Sequence, residues 1–455
     1  MILPQPTIPG NAAAGTILVP MLLLLMAIGG LQSIPNLHAG PAPRKDPTPE
    51  EVNRAFGIPL FGSGSLWAEE DQAVAERLDW PRESRTSVES GYRLYCSEPL
   101  SVLGARPFSL FLQGVGGKPS RVSMIFANKG DVEMLASKEE KGREVITSAQ
   151  AARREAVVTP RMMQLYQAAI RHDEERIRGA LTALFGEPMP AKLGKVVGMD
   201  ERGERWDWRG SAFLLFAPRN EYVALRIMPV SVFNDLDAER RSFTATKALL
   251  PGRIVRRPNG DVILGDLPMV DQGAKGYCVP ATFERVLRYY GLQADMDLLA
   301  MAGGTSAGGG TSLSRIADAA YGLVREAGGR ITTAGAATRI EDIQPHIDRG
   351  VPLIWALNSS EELDQRLAER SRLRAAFRDS GDVQRWKGDV LPPVRINART
   401  LQGKGEGHVC LIIGYNRETR EIAISDSWGP DYAERWMTEE EARSVGLGSS
   451  SVIGW

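Results

Sequence analysis

The chain is poor in the residues that metal and disulfide chemistry need. Its 455 residues include three cysteines and four histidines. Cys96, Cys278 and Cys410 form no CxxC pair and no zinc-ligand spacing, so neither a metal site nor a disulfide framework is expected. An odd number leaves at least one free thiol, and nothing in the spacing supports a Cys96–Cys410 bridge. Charge of one sign is also lacking. With a net charge of -1, nothing suggests a nucleic-acid partner or a polybasic membrane patch. With 43% hydrophobic and 24% charged residues, the composition is that of a globular protein. No cofactor is implied.

Charge is wholly absent from the first 43 residues; the first charged side chains are Arg44 and Lys45. Ala12 to Leu31, centred on TILVPMLLLLMAIGG, has the length of a secretory signal's apolar region or of one membrane span. A small-residue site, Leu37-His38-Ala39, precedes Gly40. Residues 1–39 are therefore expected to be a signal peptide or a membrane anchor. The bulk of the protein is expected outside the cytoplasm: periplasmic, extracellular or anchored to the outer face of the membrane.

Residues 40–50 (GPAPRKDPTPE) read as a linker. Residues 51–250 read as an α+β domain. A helix is expected over Leu66–Leu78, then a hairpin from Phe108–Gly114 and Arg121–Asp131 across a VGGKPS spacer. A long helix comes next over Met162–Phe185, stopped by Gly186. Trp206–Trp208, Ala212–Ala217 and Tyr222–Ile227 read as antiparallel strands. His172, within HDEER on the polar part of the long helix, reads as solvated surface. Nothing in this region assembles a catalytic set.

Residues 251–455 carry the chemistry. In PMVDQGAKGYCVPATFERVLRYYG, Gln272 stands six positions before Cys278, and a helical run starts at the cysteine. A cysteine at a helix N-terminus has its thiolate stabilised by the dipole. Gly273 and Gly276 permit the tight backbone that brings Gln272 beside it, where its amide and the Cys278 N–H could serve a developing oxyanion. Taken alone, the stretch is equally compatible with an inert, buried thiol. Gly303–Gly310 is no phosphate loop, because no strand leads into it and no GKS or GKT comes after it. It reads as a loop before a helix capped by Thr311 or Ser312. Ile340–Arg349 reads as a short helix bearing a structural His346, and VPLIWALN as a buried strand. Glu361–Arg378 is a charge-dense helix, a solvated face or a lid, with polar loop from there to Gly407. His408 opens the apolar strand GHVCLIIGYN, and a hairpin return, IAISDSWG, brings Asp426 towards it. Of the four histidines, His408 alone has an acid on a neighbouring strand.

On VDQGAKGYCVPAT, GHVCLIIGYN and ISDSWG, with GGGTSLSRIADAAYGL and IEDIQPHIDRGVPLIWAL between them, the region resembles papain-like cysteine peptidases. It is most similar to the bacterial double-glycine leader (bacteriocin-processing) peptidases, over about residues 267–436. The resemblance implies a papain-like catalytic domain with Cys278 as nucleophile, His408 as general base and then acid, and Asp426 as the orienting residue. Gln272 would be the oxyanion donor, and Trp428 would shield the His–Asp contact. Papain itself has Asn where Asp426 stands; the leader-peptidase branch has Asp. The implied function is an exported cysteine peptidase with a peptide or protein substrate. A papain-fold acyltransferase, a cell-wall amidase and an inert binding protein stay open as alternatives. The region just upstream is expected to restrain or target the enzyme.

Overall fold

A computed structural model of the chain describes residues 46–96, 100–132, 158–196, 199–235 and 247–454. The expected signal or anchor at 1–39 and the first part of the expected linker lie outside them. Among the described residues no helix is long and apolar enough to cross a membrane. Pro47–Trp455 forms one compact unit. Its first helix, Pro49–Phe56, starts inside the Pro-rich stretch. The Thr48 hydroxyl accepts from the Glu51 N–H at 3.3 Å, and the Glu51 carboxylate accepts back from the Thr48 N–H at 2.8 Å. Such an N-cap is worth about 1 kcal/mol, and it sets Val52 and Phe56 into the core.

The upstream half is built on an eight-stranded antiparallel sheet. Its strands are β1 (Arg82–Arg85), β2 (Glu89–Tyr95), β3 (Ser109–Val115), β4 (Lys118–Asn128), β5 (Met189–Val196), β6 (Met199–Trp208), β7 (Ser211–Phe216) and β8 (Tyr222–Pro229). The order is β1-β2-β3-β4-β8-β7-β6-β5. Val115 pairs with Lys118, so the VGGKPS spacer is mostly strand and only Gly116-Gly117 turns. The helix expected over 66–78 is split into a 3-10 turn at Leu66–Ala68 and a helix at Asp71–Leu78. The intervening Glu69 and Glu70 are drawn off to Arg77 and Lys118, each at 2.5 Å. The long helix Pro160–Phe185 lays Met162, Tyr166, Ile170, Ile177 and Leu181, a stripe at helical spacing, on the sheet's apolar core.

The second sheet contains β9 (Ile254–Arg256), β10 (Asp261–Leu264), β11 (Arg330–Thr333), β12 (Leu353–Ser359), β13 (Glu406–Asn416), β14 (Glu421–Ser425), β15 (Arg435–Thr438) and β16 (Gly446–Gly454). Strand β13 is its axis. β12 pairs with residues 406–412 and β10 with 414–416, while β14 pairs with 411–416. The overlaps place β12 and β10 along one edge of β13 and β14 along the other. Among the described residues, the β14-side edge beside residues 406–410 has no strand. The helix Cys278–Tyr289 lies there, with the Thr282 hydroxyl donating to the Val409 carbonyl at 3.2 Å. Every residue of this helix after Cys278 is buried. Val279, Phe283, Val286 and Leu287 join the apolar core that it shares with Val409 and Leu411.

Two expectations for the downstream half change. The charged helix, Glu361–Ser380, is solvated on one side only. Leu363, Leu367 and Phe377 are buried together with Arg370 and Arg374. Arg370 pairs with Glu441 at 2.6 Å, and Arg374 pairs with Asp261 at 2.5 Å and with Glu421. The stretch expected as polar loop coils into short helical turns, including Leu391–Asn397 and Ala398–Leu401. A small core orders it: Phe377 and Trp386 stack at 4.8 Å, with Leu391 beside them.

Candidate active site

Cys278 is the first residue of its helix, where backbone N–H groups have no intrahelical partner. It is partly exposed, whereas His408, Asp426 and Gln272 are buried. His408 stands on the strand-free edge of β13, and Asp426 lies one residue past the end of β14. The His408 Nε2 and Asp426 Oδ1 are 2.9 Å apart. That bond commits Nε2, so Nδ1 is the ring nitrogen left for the Cys278 thiol. Nδ1 is buried without a formed hydrogen bond. Thiol and ring are nonetheless close enough to shift each other's ionisation. Contacts of this kind are commonly loose before substrate tightens a site.

The electrostatics favour an ion pair. Burial opposes a Cys278 thiolate, but the adjacent His408 ring and its charge, with the N–H groups of Val409 and Val279, outweigh it and hold the thiol below its ordinary value. Burial also opposes the imidazolium, yet Asp426 and Cys278 raise His408 to about 9. Burial would raise Asp426; the Arg435 guanidinium, helped by His408, instead holds it at about 2. A thiolate at a helix N-terminus beside an imidazolium is equipped to attack an acyl carbon.

Trp428 stacks on the His408 ring with centroids 4.4 Å apart and planes at 29°. Tyr432 meets Trp428 edge-on at 5.4 Å. The ring face is thus covered by aromatic surface. Gln272 is 0% exposed. Its backbone N–H donates to the Ser427 carbonyl at 2.8 Å, which joins the glutamine segment to the Asp426 segment. Its Nε2 donates to the Lys275 carbonyl at 2.6 Å. An amide nitrogen carries two hydrogens, so one bond leaves the other available for an oxyanion. The glycine stretch at 303–310 closes onto this loop. Gly309 bridges Gly276 so tightly that a Cβ on Gly309 would stand 2.4 Å from the Gly276 Cα.

Sequence reasoning missed Arg435 and Arg285. Arg435 donates to Asp426 Oδ2 through Nε at 2.9 Å and Nη2 at 2.5 Å, and through Nη1 to Asp364 at 2.6 Å. The charged helix therefore reaches the site from behind the carboxylate. Arg285, on the cysteine helix, donates to the Pro268 carbonyl at 2.9 Å and the Ser425 hydroxyl at 2.5 Å. It ties the approach to Gln272 to the approach to Asp426. Neither arginine carried a signal, since each sits among other charged residues and differs from them only in its partners. His172 has an exposed side chain beside Asp173 at 3.3 Å, and His346 contacts Arg349 at 3.3 Å. Cys96 and Cys410 are buried and unbridged. No metal-binding group of His, Cys, Asp or Glu occurs among the described residues.

No curated protein matches the chain. Residues 264–445 match the family model described as Peptidase_C39 like family. The segment that holds Gln272, Cys278, His408 and Asp426 therefore resembles the C39-like peptidases, a papain-like group of cysteine-peptidase type.

Proposed function

We propose that the protein is an exported cysteine peptidase that cleaves peptide bonds through a thioester intermediate. The observation that carries this reading is a buried His408–Asp426 hydrogen bond of 2.9 Å beside a helix-opening cysteine whose thiol is held below its ordinary value. The Cys278 thiolate adds to the scissile carbonyl carbon, forming the C–S bond while the carbonyl electron pair moves onto oxygen. The Gln272 amide and the Cys278 N–H receive that oxyanion. The imidazolium of His408 passes its proton to the amide nitrogen, the C–N bond breaks and the amine leaves. Water then attacks the thioester, with His408 taking its proton; the acid leaves and the thiolate returns. Asp426 keeps the ring oriented and supports its charge. Export rests on the uncharged apolar stretch of residues 12–31.

The test pairs alkylation of Cys278 at pH ~5.5 with turnover on a mixed peptide library. An ordinary thiol is about one part in a thousand ionised there and labels slowly. Fast labelling that collapses in His408→Ala, with library cleavage lost in Cys278→Ala, is the expected result. Slow labelling in both proteins would leave the fold with a relict site.

A further inference from the structure

Lys275 lies three residues before Cys278 and is 2% exposed. Its Nζ stands 3.2 Å from Asp131 Oδ2 in the upstream half and 3.8 Å from Asp297 Oδ1 on the helix Met296–Ala302. The ring centroids of Tyr277 and Tyr95 are 4.9 and 5.9 Å from the same Nζ. The Lys275 carbonyl is the acceptor for the Gln272 amide. One residue is therefore clamped by the upstream half at its side chain and holds the glutamine at its backbone.

The rest of the segment is held from the same side. The Tyr95 hydroxyl donates to the Asp271 carbonyl at 2.5 Å. Gly273, at φ +70°, presses so close that a Cβ there would lie 2.7 Å from the Tyr95 ring. The Tyr277 hydroxyl donates to Asn128 Oδ1 at 3.0 Å, and the Asn128 amide donates to Asp297 at 2.9 Å. Gly130 lies under the Tyr277 ring, which a Cβ at that position would meet at 2.5 Å. The Gly308 N–H donates to the Lys129 carbonyl at 3.0 Å, which holds the glycine stretch against Gly276. Residues 95 and 128–131 thus grip the whole run between Gln272 and the cysteine. A buried ion pair adds little net stability, because desolvation offsets its attraction. Its effect here is to fix position.

We propose that the upstream half is a working part of the catalytic site and that Lys275, clamped between Asp131 and Asp297, is a positioning residue that aims the Gln272 amide at the oxyanion. This rests on the reading of Cys278 as an acyl-transfer nucleophile. It assigns to residues 95 and 128–131 the opposite of restraint: their loss lowers turnover.

Two probes on the full chain separate position from nucleophilicity. Iodoacetamide is attacked at its saturated carbon, where the C–S bond forms as the C–I bond breaks and iodide leaves, so no oxyanion develops. N-acetylglycinal takes the thiolate at its aldehyde carbon, forming a C–S bond while the carbonyl pair moves to an oxygen in the oxyanion position. Asp131→Asn is expected to keep the iodoacetamide rate within about twofold and to weaken N-acetylglycinal about tenfold, with Gln272→Ala weakening it about 10²-fold. Tyr95→Phe, which removes one hydroxyl and keeps the ring, gives the same comparison should Asp131→Asn fail to fold. Unchanged aldehyde affinity in both upstream variants, with loss in Gln272→Ala, overturns the positioning role alone. A wild-type thiol that takes neither probe faster than free cysteine overturns the nucleophile reading and the inference with it.

Discussion

Arg435 grips one oxygen of Asp426 and leaves the other to His408. Its Nε and Nη2 reach Oδ2 at 2.9 and 2.5 Å, while Oδ1 faces His408 Nε2 at 2.9 Å. The carboxylate is divided between a permanent cation and a titrating one. The permanent cation keeps Asp426 ionised at all working pH, and its bond to Asp364 at 2.6 Å fixes it in turn. Arg435→Gln removes the charge and keeps some hydrogen bonding. Losing an opposite charge at this range moves a carboxyl by about 1–3 pH units. Asp426 then stays largely ionised at pH ~5.5 but protonates at a higher pH than before, so the acid limb of Cys278 alkylation should move up by about that amount while the rate near pH ~7 changes little. An unchanged acid limb would show that His408 alone suffices.

The same set of charges defines a pH window. His408 is raised to about 9, so its contribution to stability is full below its ordinary value and is lost as pH rises through about 9. Asp426 is depressed to about 2, so its contribution is present above its ordinary value and is lost as pH falls through about 2. The thiolate–imidazolium pair exists between the lowered thiol value and about 9. Iodoacetamide rates measured from pH 4 to 10 should show a plateau through this window. A single rise with the ~8.5 midpoint of free cysteine would contradict the pairing.

On the proposed mechanism, Gln272→Ala removes an oxyanion donor and leaves the nucleophile and its base in place. Loss of one such donor costs about 10²–10³ in kcat. Peptide turnover should fall by that factor while iodoacetamide labelling stays as in wild type. Equal loss in both assays would mean that Gln272 acts through the fold.

Arg374 is 4% exposed and joins two carboxylates, Asp261 and Glu421, with its guanidinium 3.7 Å from the Trp436 ring centroid. Arg374→Ala would take the ion-pair partner from buried Glu421 and leave buried Asp261 with Arg257 alone, at 3.8 Å. Breaking a buried pair in this way costs about 3–5 kcal/mol. Urea unfolding should register that loss, and Arg374→Met should recover little of it, since the stem is restored and the charge is not. A change below about 1 kcal/mol, the range of exposed pairs, would contradict the burial.

A close backbone approach gives the last prediction. Gly309→Ala places a methyl 2.4 Å from the Gly276 Cα, at a residue whose φ is +116°. Both the contact and the backbone conformation oppose it, so the loop must move away from the segment before Cys278. Thermal unfolding should fall and peptide turnover should fall with it. Gly322→Ala, in the helix Leu313–Glu326 with nothing near its Cβ position, serves as the control and should be neutral or stabilising.

Much of this was readable along the chain because it is local. The helix at Cys278 is specified by the run of helix formers from Val279 to Tyr289, and β13 and β14 by an apolar run, a turn and a return. The match over residues 264–445 takes in the whole stretch whose motifs pointed to papain-like chemistry. Residue types and order also singled out His408 and Asp426, which stand in contact in the folded chain.

Other features depend on partners far away in sequence. Arg374 and Arg435 look like any surface arginine until Asp261, Glu421 and Asp426 are folded against them. Residues 361–405 read as polar because burial by ion pairing leaves no apolar period. Lys275 and Asp131 are 144 positions apart, and no local pattern relates them. Period, capping and turn residues act over a few positions, so the linear chain was enough to specify the elements and the chemical types at the site. Folding in three dimensions settled which charges are buried, which acid each arginine meets, and how the upstream sheet grips the loop before the cysteine. Those are long-range pairings, set by packing.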